Sequence, residues 1–185
     1  MILFQYAQHI YFYKTKSLLM KSVISPLLFA LVVLLFVPSG AHSAVEDSSA
    51  RTRIMAFLQA VYRSDSAPAD IAKQYIALST SANEFSTEKR YEIASYHIQL
   101  LREGNSMATP GASRPTLDRV TVVPYRKLSK EQVIDFELDT KQLQHIYAAL
   151  ENGTVIRYFV YENDKISSFD YLTKGKEGPR YFIGY

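Results

Sequence analysis

The feature that most limits what this chain can fold into is a change of hydrophobic period near its middle. From Arg51 to Arg102 the apolar residues recur three and four positions apart; from Leu117 onward they alternate or run together in β-branched blocks. Helices followed by strands bury both sets of apolar faces by layering, so the expected fold class is α+β. N-terminal helices should pack on one face of a C-terminal antiparallel sheet of five or six strands.

In the helical half, Ile54, Met55, Phe57, Leu58, Val61 and Tyr62 form one stripe over Arg51 to Arg63, after a polar lead-in from Val45 to Ala50 with Ser48 or Ser49 as N-cap. Pro68 suits a first helical position, and the helix it opens should bury Ile71, Tyr75 and Leu78. Ser79 to Asn83 reads as a polar break. The third helix, Thr87 to Arg102, places Ile93, His97, Leu100 and Leu101 on one face with Tyr96 at its edge. Gly104 is its expected left-handed stop, and Asn105 to Pro115 reads as the loop into the strand half.

In the strand half, Val120 to Val123 is a β-branched run ended by Pro124. Val133 to Leu138 alternates, with Ile134, Phe136 and Leu138 on one face and Asp135, Glu137 and Asp139 on the other. Gln142 to Leu150 fits a helix by its apolar spacing, but Asn152-Gly153 between apolar runs is a strong hairpin signal, so a strand is favoured there. Thr154 to Tyr161 is the clearest strand. Turns are expected at Glu162–Lys165 and Lys174–Pro179, with strands at Ile166–Leu172 and Arg180–Tyr185. No internal repeat occurs.

The first 43 residues read as a signal peptide rather than as fold, and residues 44–185 as a single domain. Leu27 to Val37 is unbroken apolar sequence, shorter than the about 20 residues a membrane span needs. It suits the apolar core of a secretory leader, preceded by Lys14, Lys16 and Lys21 and followed by Pro38-Ser39-Gly40. Cleavage is expected before Ala44 or before His42. Read from Met20, the leader is compact, and the reading allows translation to start there. The expected location is extracytoplasmic, periplasmic or secreted, with membrane contact only through the leader where it stays uncleaved. A lipid-anchored form is not expected, because the chain has no Cys.

Composition then removes whole function classes. Three of the 21 basic residues and none of the 18 acidic ones precede Ala44, so the remainder is electrically balanced. That lacks the basic footprint of a nucleic-acid binder. Without Cys there is no disulfide, thiolate metal site or thiol nucleophile.

No HxH, HxxxH or HExxH spacing, nucleophile elbow, phosphate-cradling loop or dinucleotide fingerprint is present, so no cofactor, no metal site and no catalytic residue is assigned. His97 reads as a satisfied core residue. Asp135, Glu137 and Asp139 could bind Ca²⁺ or form an acid/base pair, against the plainer reading of a solvated strand face. The compositional oddity is the aromatic density of the last forty or so residues. Tyr joins an apolar body to a polar tip and suits small-molecule or peptide ligands. Tyr147, Tyr158, Tyr171 and His145 are the candidate ligand-binding set.

The stretch TVIRYFVYENDKISSFDYL, Thr154 to Leu172, resembles small exported domains of the cystatin-like, nuclear-transport-factor-like group. The resemblance covers the strand half, and three leading helices depart from that group's usual order. It implies a conical pocket between sheet and helices, used for binding, dimerisation or, in some members, catalysis.

The expected function is a non-enzymatic binding or interaction module with a small-molecule or protein partner. The alternatives are a small pocket hydrolase or isomerase, and a structural envelope protein that self-associates through a sheet edge near Tyr181 to Tyr185.

Overall fold

The computed structural model describes residues 39–79, 85–108, 111–175 and 178–185. They belong to one compact unit. The leader's apolar core lies outside the described residues, as does most of the Ser79 to Asn83 break.

Helix α1 spans Ser39–Arg63 and so begins well before Arg51. The lead-in is helical because it extends the same stripe. Asp47 and Ala50 sit seven and four positions before Ile54, and all three are buried. Asp47 accepts hydrogen bonds from Arg126 at 2.6 Å and from the Tyr147 hydroxyl at 3.2 Å. Both expected cleavage points fall in the first turns of α1, ahead of Asp47.

Helix α2 (Pro68–Tyr75) has Pro at its start and buries Ile71, Ala72 and Tyr75. It stops short of Leu78 because Ile76 leaves the helix to bridge Ile166 in parallel, and Ala77 N–H donates to the Ile166 carbonyl at 2.9 Å. Helix α3 (Thr87–Arg102) is capped by Ser86, which accepts from Lys89 N–H. Its buried face holds Arg90, Ala94, His97, Ile98 and Leu101, while Tyr96 points outward. Gly104 takes φ 75°, the left-handed stop that its position requires.

After a 3₁₀ turn at Leu117–Arg119 come β1 (Val120–Pro124), a second 3₁₀ turn, and α4, a single turn at Thr140–Leu143. Strands β2 (Ile146–Glu151), β3 (Thr154–Glu162) and β4 (Lys165–Ser168) follow. They form an antiparallel sheet of order β1-β2-β3-β4. Asn152 and Gly153, at φ 50° and 82°, make the β2–β3 turn, and Asn163 and Asp164, at 51° and 59°, make the next. Two successive left-handed residues match the twist of hairpin strands, so Ile146–Glu151 is the strand that the hairpin reading favoured, while Gln142 and Leu143 belong to the α4 turn.

Three expectations change. The strands do not form one sheet: β5 (Tyr171–Thr173) and β6 (Arg180–Phe182) pair as a separate two-stranded ribbon. The expected strand Ile166–Leu172 breaks at Phe169-Asp170, where the chain turns inward. Val133 to Leu138 alternates in burial as read, with Phe136 buried and Asp135, Glu137 and Asp139 exposed, but it bends at Glu137, where Leu138 N–H donates to the Phe136 carbonyl at 2.9 Å. It is not a ladder strand, because its pairing is a single bridge to Arg180.

The sheet is also buried on both faces rather than one. Val120, Val122, Tyr147, Ala149, Phe159 and Tyr161 pack with the three long helices. Ile146, Ala148, Leu150 and Tyr158 pack on the other side against Phe136, with Ile134, Leu138, Tyr171 and Phe182 around it. The alternating segment, though not a strand, is the lid of this second layer. That is why β2, IYAALE, is apolar on both of its faces.

Candidate binding groove

The groove originates in Asp170. This carboxylate has no solvent exposure. Its Oδ1 accepts from Ala108 N–H at 2.8 Å and Tyr171 N–H at 3.2 Å, and its Oδ2 from Met107 N–H at 3.2 Å. Arg157 lies 3.5 Å from Oδ1 and donates to Ser106 at 2.7 Å. His97 Nδ1 is 3.4 Å from Oδ2 and 3.4 Å from the Tyr185 hydroxyl. Burial pushes the carboxyl's pKa up, but the His97 hydrogen bond, the Arg157 charge and the Ala108 N–H together outweigh it. The net effect holds Asp170 below its usual range.

Drawing Asp170 inward ends the β3–β4 ladder at Val160–Ser168. The first half of β3 is left without a neighbour on that side among the described residues. A groove of about 420 Å³ lies along it, lined by Gly153 through Tyr158 in unbroken succession. One wall is Gln132 and Ile134; the other includes Ala108 and Tyr171. Gln132 fixes its wall twice, accepting from the Tyr158 hydroxyl through its carbonyl and donating from its side chain to the Gly153 carbonyl at 2.7 Å. Burial, with neighbouring Tyr171 and Tyr125, pushes the Tyr158 phenol up to about 12, so it is a neutral donor at physiological pH.

The structure divides the four ligand-set residues. Tyr158 and Tyr171 both line the groove, their ring centroids 6.3 Å apart in an edge-to-face contact. Tyr147 lies on the opposite sheet face, hydrogen-bonded to Asp47 and edge-on to Tyr161. His145 sits just before β2 with Nδ1 3.7 Å from Glu46 of α1. Neither lines the groove: Tyr147 faces the helices, where alternation carries the odd-numbered β2 residues, and His145 lies before the strand beside α1.

Asp135, Glu137 and Asp139 are divided in a similar way. Asp139 caps α4, with reciprocal hydrogen bonds to Gln142, and Glu137 accepts from the Tyr181 hydroxyl. Among the described residues no group of three or more His, Cys, Asp or Glu side chains is placed to hold a metal ion. None of the described helices is long and apolar enough to cross a membrane.

Sequence reasoning missed Arg157 and Asp170. The signal was there: each is the only charged residue inside an otherwise apolar or neutral run, RYFVY and SSFDYL, and the two charges are opposite. An isolated charge in a strand core implies a buried partner.

The fold and groove define a two-layered α+β domain with an open strand edge. Comparison with protein-family models, curated proteins and solved structures finds no match to this chain.

Proposed function

We propose that this chain is an exported, non-enzymatic binding module of cystatin-like build, and that its ligand site is the groove beside β3. The groove itself carries the reading: about 420 Å³, within the range of ligand sites, its lining mixing apolar Ile134, Val155, Ile156 and Tyr171 with polar Glu131 and Gln132. Half-buried Tyr171 supplies amphipathic surface to it, and buried Tyr158 packs beneath. The buried Asp170 cluster supports binding over catalysis, because its hydrogen-bonding capacity is spent on Arg157, His97 and backbone N–H groups within the core. Export is supported by the leader pattern, and cleavage at either expected point keeps Asp47 and Ala50, buried residues of α1.

Native mass spectrometry of protein recovered from the host envelope tests this. The expected result is a mass starting at Ala44 or His42 plus a bound species. Thr154 is exposed at the groove, so Thr154→Trp should fill the site and abolish retention. A leader still attached would refute export. Equal retention by the variant would refute the groove as the site.

A further inference from the structure

We infer that the occupant of this groove is an extended polypeptide segment, which adds to the first half of β3 as the strand that β4 fails to supply. The inference rests on the groove being the ligand site and names the chemistry it recognises.

The argument starts from strand register. Tyr161 N–H donates to the His145 carbonyl, so Tyr161, Phe159 and Arg157 turn their backbone groups toward β2. Tyr158 and Val160 therefore turn theirs the other way. Val160 meets β4 opposite Ser168; Tyr158 meets no strand there among the described residues. The bulge between Ala149 and Leu150 resets the alternation, and Val155, opposite Leu150, also points outward. Two residues thus present N–H and C=O groups into a groove whose floor is six consecutive β3 and turn residues.

Outward backbone groups on a strand edge, here at two residues set three positions apart across the bulge, are complementary to another extended backbone more than to any other chemistry. The edge lies between Gln132–Ile134 and Ala108–Tyr171, which suits a single extended segment better than the sheet of a second folded copy. A strand lying there would direct alternate side chains to the two sides of the sheet. One set meets Tyr171 and Ile134, aromatic and aliphatic, with exposed Glu131 also in the lining; the other passes Ala108. The preferred segment is extended, with apolar residues at every second position.

The test selects linear ten-residue peptides from a random display library against the chain starting at Ala44. The best binder is then synthesised with single backbone N-methylations along its length. Enriched peptides should show apolar residues at alternate positions. N-methylation at one parity should weaken binding about tenfold, and at the other parity hardly at all. Saturating peptide should slow amide hydrogen exchange at Val155 and Tyr158 by at least about tenfold.

Binders that shift groove resonances but tolerate methylation at both parities, with Val155 and Tyr158 exchange unchanged, would overturn strand addition while keeping the groove as a site. A library with no binder would overturn the peptide class. Binders that leave the groove resonances unmoved would overturn the groove reading too. Concentration-dependent dimers that lose β3-edge exchange would assign the edge to a second copy instead.

Discussion

Asp170 shows how much one side chain decides in this molecule. Its folded pKa lies below the unfolded value, so the ionised carboxylate contributes stability at neutral pH. That contribution is present above the unfolded value, about 4, and is lost as pH falls through the lower folded value. Asp170→Asn should flatten the acid limb of the urea midpoint against pH, below about pH 4. At pH 7 the same variant leaves Arg157 buried without its counter-charge and should lose about 3 kcal/mol in urea unfolding. Adding Arg157→Met should recover part of that loss, since the pair is coupled. A fully additive double variant would mean that Arg157 and Asp170 do not stabilise each other.

Among the elements, the two hairpin turns and the β5–β6 turn set the register that aims side chains into the groove. Gly153 holds φ 82°, and a Cβ added there meets open space. Gly153→Ala should therefore cost only the left-handed backbone penalty, about 1 kcal/mol. Gly178 is the opposite case: an added Cβ runs into the Lys174 carbonyl, which is backbone and cannot rotate away. Gly178→Ala should cost more than Gly153→Ala, because β5 and β6 must move apart to admit it. Urea midpoints of the two variants check the order; the reverse order would show that the β5–β6 ribbon yields easily.

For the whole molecule, the sheet is the shared wall of two apolar clusters, one under the helices and one under the Val133–Leu138 lid. Ile146, Ala148 and Leu150 face the lid, while Tyr147 and Ala149 face the helices, so neither layer closes without β2. The helical layer reaches back to Asp47 and no further among described side chains. A chain starting at Ala44 should match one starting at Ser39 to within about 0.5 kcal/mol. A chain starting at Arg51 removes Ala50 and the acceptor of Tyr147 and Arg126, and should lose about 2 kcal/mol or more. Equilibrium unfolding of the three chains separates these outcomes.

Much of this was readable before any coordinates. Helix and strand identity follow from apolar spacing, a property of neighbours along the chain, and α2, α3, β1 and β3 lie close to where that spacing put them. Asn152-Gly153 specified a hairpin because both residues tolerate left-handed backbone. Tyr158 and Tyr171 were legible as candidates because Tyr in strands is amphipathic. The rest depends on contacts distant in sequence. Val133–Leu138 alternates as a strand does, yet laddering needs a partner edge, and alternation records only which side is wet. The helical start of α1 was hidden by polar Asp47, whose burial is acceptable only because Arg126 and Tyr147 arrive from elsewhere. The separation of Tyr147 and His145 from Tyr158 and Tyr171 follows from which sheet face each strand residue meets. The sequence by itself determined the elements, their order and the α+β class, because local periodicity and turn chemistry are written residue by residue. Only the tertiary structure decided that Asp170 turns inward, that β1–β4 and β5–β6 form separate sheets, and that half of β3 has no strand on its outer side among the described residues, because pairing and burial are set by which distant groups satisfy one another.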